Sequence, residues 1–302
     1  MKEHKMFSGL SAFPLTPMNE AGVDEAAFGR LVDRLAVARV DSIGALGSTG
    51  SYAYLTRAER QRVAQCAVAH ARDIPVIVGI GALRTRDVLA LAEDAQQAGA
   101  RGLLLAPVSY QKLSADEVFG LYEAVARSIS VPLVVYDNPG TTHFEFSDEL
   151  HGRIAQLANV ASIKIPGVPA EPVAAQARVA RLRALVPAHV TIGVSGDALA
   201  ATGLNAGCEA WYSVIGGLFP KTALAITRAA QAGDKAEASR LSLRLEPLWT
   251  LFRQHGGSLR AVASAAETLA LTAHPSLPLP LKVLDGAGRQ QMAALIAQLD
   301  LA

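Results

Sequence analysis

The sequence predicts a (β/α)8 TIM barrel with a C-terminal helical appendage, and three observations support this fold class. Short runs rich in β-branched and other apolar residues recur along the chain, and each is followed by a turn. An amphipathic helical stretch separates each run from the next. The length of 302 residues suits a closed barrel of eight such units better than an open sheet.

The predicted strands come first. Each is a nearly continuous apolar run, which is typical of strands that are buried on both faces of a parallel sheet. The predicted strands are Gly9–Phe13, Ser42–Leu46, Pro75–Ile80, Gly102–Ala106, Leu133–Tyr136, Ala161–Ile165, Val190–Val194 and Ala210–Val214.

The helices between the strands have recognisable start signals. Asp24–Val37 begins with an acidic cap, Thr56–Ala71 carries a Thr-x-x-Glu capping box, and Ser114–Ser128 begins with a serine cap followed by acidic residues. A doubly wound sheet is the alternative architecture. It would require a Gly-rich phosphate-binding loop after the first strand, and residues 13–17 do not supply one.

Only helices are predicted after Gly217, and they give more helix than an eighth βα unit needs. We therefore predict a barrel over residues 1–224 and a helical region over residues 225–302. The Pro-rich segment 275–280 is predicted to be a turn between two helices rather than a flexible linker. The predicted helices are Pro220–Ala232, Lys235–Gln254, Ser258–Ala270 and a last helix from about Ala287.

Composition argues against several classes of protein. Apolar residues make up 51% of the chain and charged residues 18%, which allows a large core and is unlike a disordered chain. The net charge is +1 with Lys and Arg spread along the chain, whereas nucleic-acid binding calls for a basic face. The N-terminal segment lacks the apolar stretch of a secretory signal, and the apolar runs are too short to span a bilayer. We expect a cytoplasmic protein that binds neither nucleic acid nor membrane.

The two cysteines, Cys66 and Cys208, lie far apart in the sequence. They fit neither a disulfide framework nor the spacing of a metal site. Both are predicted to be buried structural thiols in a reducing compartment.

In a barrel of this kind, active-site residues are expected at the C-terminal ends of the strands. The second predicted strand leads into Gly47-Ser48-Thr49-Gly50-Ser51. Its backbone N–H and hydroxyl groups can converge on a carboxylate or a phosphate, although an ordinary solvated turn has the same composition. The fifth strand ends in Tyr136, which suits either packing at the rim or proton transfer.

Lys164 is the strongest single candidate. It lies between two isoleucines in the sixth predicted strand, and lysine is rarely buried without a partner because desolvating an ammonium group is costly. Burial lowers the pKa of an amine from its usual value of about 10.4, and the neutral amine is the nucleophile that forms Schiff bases. The alternative is a lysine that extends from the strand end to solvent.

In order and approximate spacing, these motifs resemble the dihydrodipicolinate synthase / N-acetylneuraminate lyase family of class I pyruvate-dependent aldolases, over nearly the whole chain. The family's Gly-x-x-Gly-Glu turn corresponds to residues 47–51, its Tyr-Asn-x-Pro motif to residues 136–139, and its Gly-x-Lys strand to residues 162–164. Tyr110 falls where the family places a tyrosine that reaches into a neighbouring subunit's site.

The resemblance implies a mechanism that needs neither a metal nor an organic cofactor. Lys164 would attack the carbonyl of pyruvate or another 2-oxo acid, and Ser48 and Thr49 would hold its carboxylate within the turn that Gly47 begins. Tyr136 would relay protons, with Thr49 and Tyr110 completing a hydrogen-bonded chain.

Two further expectations follow from the resemblance. Because Tyr110 acts across a subunit interface in the family, we expect a homo-oligomer, namely a tetramer built as a dimer of dimers. The second-substrate pocket is expected near residues 195–197 and the segment from Tyr212 to Gly217, unless these residues form ordinary turns.

Three of the chain's departures from the family pattern bear on its substrate and regulation. Dihydrodipicolinate synthases usually carry Arg two residues after the motif proline, where this chain has Thr141. Threonine cannot replace the bidentate fork that pairs with the aldehyde substrate's carboxylate. Ser109 replaces one of the paired tyrosines of the lysine-regulated members, and Ser51 replaces Glu. The sequence therefore predicts a Schiff-base lyase or aldolase with a different second substrate.

Three other functions stay open at this stage. One is genuine 4-hydroxy-tetrahydrodipicolinate synthesis. Another is a non-catalytic barrel that binds a small metabolite, against which the joint presence of Lys164 and Tyr136 argues. The third is a sugar-phosphate enzyme with its phosphate site at Gly216-Gly217, just before a helix.

Overall fold

The fold was obtained as a computed structural model, which describes residues 6–273 and 275–301. It confirms the predicted barrel, since eight parallel strands close on themselves and β2 and β3 form a separate short hairpin. The strands are β1 (Gly9–Ala12), β2 (Met18–Asn19), β3 (Gly22–Val23), β4 (Ser42–Ala45), β5 (Val76–Gly79), β6 (Gly102–Leu105), β7 (Leu133–Tyr136), β8 (Val160–Ile165), β9 (Thr191–Val194) and β10 (Ala210–Ser213).

Helices surround the barrel and form the C-terminal appendage. They are α1 (Glu25–Ala38), α2 (Arg57–His70), α3 (Thr85–Gln97), α4 (Ala115–Ser128), α5 (Pro139–Thr142), α6 (Asp148–Ala155), α7 (Pro172–Leu185), α8 (Ala200–Asn205), α9 (Pro220–Gln231), α10 (Lys235–Arg244), α11 (Glu246–Gln254), α12 (Leu259–Thr268) and α13 (Gly286–Gln298).

The apolar side chains form two cores. Successive side chains of a strand point to opposite faces, so β5, β6, β7 and β10 contribute to both. The smaller core fills the barrel interior and includes Phe13, Val134, Tyr136 and Tyr212. The larger core lies between the strands and the surrounding helices. The interior core matters most for function, because Lys164 lies among its aromatic rings.

The predicted helix starts are present. The Thr56 side chain accepts a hydrogen bond from the Glu59 N–H, and the Glu59 carboxylate accepts one from the Thr56 N–H. Ser114 and Glu117 form the same reciprocal pair at the start of α4, and Asp24 caps α1. These caps satisfy N–H groups that the first turn of a helix leaves unpaired.

One helix prediction is wrong. Lys235–Gln254 was predicted as a single helix, but the structure divides it into α10 and α11 at Leu245. Pro247 lies in the first turn of α11, where a missing N–H is tolerated. Within a continuous helix it would remove a hydrogen bond and its ring would clash with the carbonyl of Leu243.

The division of the chain at residue 224 stays a prediction. That residue lies inside α9, which packs against β1 and so completes the barrel layer. Beyond α9, α13 packs against both α11 and α12 to form the appendage. Residues 1–5, 274 and 302 of the two predicted regions lie outside the described residues.

The prediction of two buried cysteines is half right. Cys208 is buried, whereas Cys66 is only partly buried. Cys66 lies on α2, and its thiol contacts the carbonyl of Glu25 at the start of α1. Among the described helices, none is both long and apolar enough to cross a membrane.

Candidate active site

Lys164 points into the barrel near the C-terminal end of β8 and is only 5% exposed. Its Nζ lies 4.0 Å from the centre of the Tyr136 ring, 4.1 Å from that of Phe13 and 5.7 Å from that of Tyr212. The amine is therefore enclosed by aromatic rings rather than extended to solvent, which excludes the alternative of a solvated strand-end lysine.

Strand register brings Lys164 and Tyr136 together. The two residues are direct partners across the parallel β7–β8 pair. A register shift places Leu133 beside Val160 but Val134 beside Ser162, so β8 has one extra residue at this point. Such irregularities re-aim the side chains that follow. Here, Lys164 shares the barrel interior with Tyr136.

The surroundings of Lys164 favour its neutral form. Burial lowers the pKa of this amine below its ordinary value, while Tyr136 and the carboxylate of Asp197 act in the opposite direction. A lowered pKa increases the fraction of neutral amine, which is the nucleophile for a carbonyl carbon.

The Tyr136 hydroxyl belongs to a cluster of three polar groups. It lies 3.3 Å from Ser48 Oγ and accepts a hydrogen bond of 2.8 Å from Asn138 Nδ2. Asn138 Nδ2 also lies 3.4 Å from Ser48 Oγ. Because the Asn138 amide donates to the phenol oxygen, the phenol proton can be donated to a different acceptor. Asn138 was not among the predicted site residues, although it lies within the predicted Tyr136–Pro139 motif.

The turn after β4 supplies Ser48 and Thr49. Leu46 and Ser51 on either side of it both adopt left-handed backbone conformations (φ 58° and 52°), which are strained for residues other than glycine. A Cβ at Gly47 would lie 2.6 Å from the Phe13 ring, so glycine is required there by close packing. Thr49 is buried in this turn, but the hydroxyl that reaches Tyr136 is that of Ser48.

The dihydrodipicolinate synthetase family matches the chain over residues 6–299. The chain belongs to that family. A 4-hydroxy-tetrahydrodipicolinate synthase of Acidiphilium cryptum is 31% identical, over 98% of this chain and 99% of that protein.

Solved structures agree with this assignment. The crystal structure of a dihydrodipicolinate synthase from Agrobacterium tumefaciens is 46% identical with a TM-score of 0.94, over 99% of this chain and 100% of that one. A monomeric dihydrodipicolinate synthase variant shares the fold, with a TM-score of 0.89 and 23% identity over 100% of both chains. As a dihydrodipicolinate synthetase family member, the protein is a pyruvate-dependent aldolase of the class I Schiff-base type.

Tyr212, a predicted substrate-binding residue, is fully buried beneath the lysine. Its hydroxyl donates a 2.6 Å hydrogen bond to Ser162 Oγ, which also accepts one of 2.8 Å from Thr191. Ser162 stands where the family's Gly-x-Lys strand has glycine. The Tyr212 hydroxyl is therefore engaged inside the barrel, and the part of Tyr212 that faces Lys164 is its aromatic ring.

The carboxylate of Asp197 fixes the loop after β10. It accepts hydrogen bonds from Trp211 Nε1, Ser213 Oγ and the backbone N–H groups of Val214 and Ile215. These hydrogen bonds fix the conformation at the start of the segment 212–217, which is arranged around the buried side chain of Asp197.

The phosphate site that the alternative sugar-phosphate function would place at Gly216-Gly217 is disfavoured by this arrangement. The Gly216 N–H donates to Ser213 Oγ, and the Gly217 N–H donates to the Val214 carbonyl. A Cβ at Gly217 would lie 2.1 Å from the Phe13 carbonyl oxygen. These glycines are thus explained by close packing, and their N–H groups already have partners.

The remaining predicted residues lie at the rim. Thr141 is exposed on α5, where its hydroxyl contacts the carbonyl of Asn138 at 3.4 Å. Tyr110 is 91% exposed in the loop after β6. Among the described residues, no group of three or more His, Cys, Asp or Glu side chains is arranged to hold a metal ion.

Proposed function

We propose that the chain is a Schiff-base lyase or aldolase in which Lys164 binds pyruvate or a closely related 2-oxo acid. The observation that carries the proposal is the buried amine of Lys164, held beside the Tyr136 ring at the C-terminal end of the barrel. Family membership supports the same reaction type.

Each step of the reaction has a group nearby. The neutral amine attacks the C2 carbonyl and gives a carbinolamine. Protonation of the carbinolamine hydroxyl allows it to leave as water, which gives the protonated imine. We assign the proton transfer to the Tyr136 hydroxyl, whose neighbours are Ser48 and Asn138. The imine then acidifies C3, whose deprotonation gives an enamine able to form or break a carbon–carbon bond.

We assign the substrate carboxylate to the turn after β4. Thr49 and the backbone N–H groups of the turn that begins at Gly47 are the groups proposed to bind it. Ser48 contacts Tyr136 and so is placed better for proton transfer than for carboxylate binding alone. Tyr110, which the resemblance assigns to a neighbouring subunit's site, would join this network only in an oligomer.

The second substrate is proposed to lack a carboxylate at the Thr141 end of the pocket. The curated relatives are named 4-hydroxy-tetrahydrodipicolinate synthases at about 30% identity, which makes that reaction the second candidate function. Thr141 argues against it, because a second carboxylate is best bound by a bidentate cation. The free thiols of Cys66 and Cys208 are consistent with a reaction in the cytoplasm.

Reductive trapping tests the proposal. Incubation with pyruvate and borohydride is expected to add one reduced pyruvyl group, mapped by peptide mass spectrometry to Lys164. Lys164→Ala should remain unlabelled, while Lys112→Ala, which removes an exposed lysine, should be labelled like the wild type. Labelling of a different lysine, or none with any 2-oxo acid tried, would refute the proposal.

A further inference from the structure

A buried acid–base pair lies directly behind the active site. Asp137 follows Tyr136 in the chain and is only 5% exposed. Its N–H donates a 3.0 Å hydrogen bond to the carbonyl of Lys164. Its carboxylate points away from the barrel interior towards α6, where Oδ2 lies 3.4 Å from Nε2 of the fully buried His151. The His151 ring stacks on Phe146 with the centres 4.9 Å apart.

The pair is poorly satisfied by other groups. Asp137 Oδ1 and both ring nitrogens of His151 have no hydrogen-bond partner among the described residues. Buried polar atoms usually have one, so the contact between these two side chains is the main polar interaction open to them. It requires a proton between a carboxyl oxygen and a ring nitrogen.

Charged groups on every neighbouring element act on the pair. Arg178 on α7 forms an ion pair with Asp148 on α6, and it favours the ionised form of Asp137. Asp148 and Glu145 oppose the ionisation of Asp137. The Asp137 carboxylate in turn helps to raise the pKa of the Tyr122 hydroxyl on α4. The net effect, dominated by burial, raises the pKa of Asp137 to about 7.

The partner shifts in the opposite direction. Burial and the nearby Arg178 lower the pKa of His151 to about 4. Between these two values, the folded protein therefore holds a neutral carboxyl next to a neutral imidazole. A neutral carboxyl facing a neutral imidazole can donate its O–H to the ring nitrogen 3.4 Å away, so the pair holds one proton that titrates in this range.

We propose that Asp137 and His151 share this single proton, and that it positions Tyr136 and Asn138, so that its loss lowers turnover. The inference rests on the proposed Schiff-base reaction, because Tyr136 is assigned there to proton transfer. Asp137 acts through its neighbours and is a positioning residue.

The physical reason is the place of Asp137 in the chain. The residues on either side of it carry the phenol and the amide that bond to each other at 2.8 Å. A carboxylate without its proton is costly to bury and is drawn towards Arg178, which shifts the backbone at residue 137. Misplacement by about 1 Å can lower a rate constant by roughly 10²-fold.

Paired pH profiles test the functional part. In the wild type, kcat is expected to fall as pH rises through about 7, with little change in KM for pyruvate. Asp137→Asn cannot ionise but can still donate to His151, so its profile, normalised to its own value at pH 6, should lack this fall. Glu145→Gln is the matched control, since it removes a neighbouring exposed carboxylate and should retain the fall. A profile of Asp137→Asn that coincides with that of the wild type overturns the proposal.

Infrared spectroscopy tests the proton itself, independently of activity. The wild type should show the carbonyl band of a protonated carboxylic acid that disappears as pH rises through about 7. Glu145→Gln should keep that band and Asp137→Asn should lose it. Absence of the band at pH 6, or its persistence in Asp137→Asn, would overturn the shared proton. If the band behaves as expected but pyruvate is not trapped on Lys164, the reaction is wrong and the acid–base pair still stands.

Discussion

At the scale of single residues, Thr141 has the largest consequence for substrate choice. It lies at the exposed rim on α5, and its hydroxyl contacts the Asn138 carbonyl at 3.4 Å. A carboxylate of the second substrate at this point would gain a weak hydroxyl contact instead of a charge-assisted bidentate pair. His143, which follows α5, is exposed, and an imidazole lacks the planar fork that binds a carboxylate through two hydrogen bonds.

The prediction at this scale concerns aspartate semialdehyde. Wild-type protein is expected to turn over pyruvate with this aldehyde poorly, and Thr141→Arg should raise kcat/KM by roughly two orders of magnitude, since losing such a pair costs a few kcal/mol. Thr141→Lys is the matched control, because a point charge without the planar fork should give a smaller gain. A wild-type efficiency typical of a dedicated biosynthetic enzyme would contradict the prediction.

Residue types that are unusual for their environment were predictable from sequence. Lys164 was one, because burying a charged amine within a strand costs free energy, which indicates a functional reason for its position. The choice between Ser48 and Thr49 as the neighbour of Tyr136 was not predictable. Both are small hydroxyl residues in one short turn, and their directions depend on left-handed conformations at Leu46 and Ser51 that tertiary packing selects.

At the scale of elements, strand pattern and helix caps carried enough information to place the barrel. The strand β7 (Leu133–Tyr136) has the predicted bounds, and the other barrel strands differ from theirs by one residue at one end or at both. The break at Leu245 had a sequence signal in Pro247, which the helical periodicity on both sides concealed. The irregularity in β8 had none, because an extra residue in a uniformly apolar strand leaves the pattern unchanged.

The contact between strand β7 and helix α6 gives a prediction on stability. In the unfolded chain between about pH 4 and 6.5, the pair binds one titrating proton, which His151 carries while Asp137 is ionised. In the folded chain, Asp137 carries it, since its pKa is raised to about 7 and that of His151 is lowered to about 4. Both states then bind one proton, so the pair adds no pH dependence in this range.

Removing either member should make the free energy of unfolding depend on pH, with slopes of opposite sign in the two variants. In Asp137→Asn, the unfolded chain binds more protons at His151, so stability relative to wild type should fall as pH falls from 6.5 towards 4. In His151→Gln, the folded chain binds more protons at Asp137, so relative stability should rise as pH falls from 7 towards 4. Each slope should approach about 1.4 kcal/mol per pH unit.

Urea unfolding at several pH values between 4.5 and 6.5 measures both slopes. Glu145→Gln, which alters an exposed carboxylate nearby, should run parallel to the wild type. Slopes of the same sign in Asp137→Asn and His151→Gln would contradict a proton exchanged between these two residues on folding.

At the scale of the whole molecule, the rim of the barrel exposes an apolar surface. The loops after three neighbouring strands, β4, β5 and β6, each carry a large exposed side chain. Tyr54 is 51% exposed, Leu83 is 65% exposed and Tyr110 is 91% exposed. Large apolar side chains that are exposed close together commonly mark an interface between proteins. The resemblance predicted Tyr110 for such an interface, but the sequence could not show that each of the two loops beside it also exposes a large apolar side chain.

The last prediction is that this surface joins two copies of the chain, within a tetramer built of tight dimers. Light scattering coupled to size exclusion should give an oligomer for the wild type and a smaller species for Tyr110→Asp, because a buried, unpaired charge at an interface is costly. Val37→Asp is the control, since Val37 is also an apolar side chain, 65% exposed on α1 away from the rim, and it should leave the assembly intact. Tyr110→Phe keeps the apolar contact and removes only the hydroxyl, so it should retain the oligomer and the thermal stability. If that hydroxyl completes the partner's proton relay, turnover of Tyr110→Phe should fall by about tenfold or more. A fully active monomer would refute the prediction.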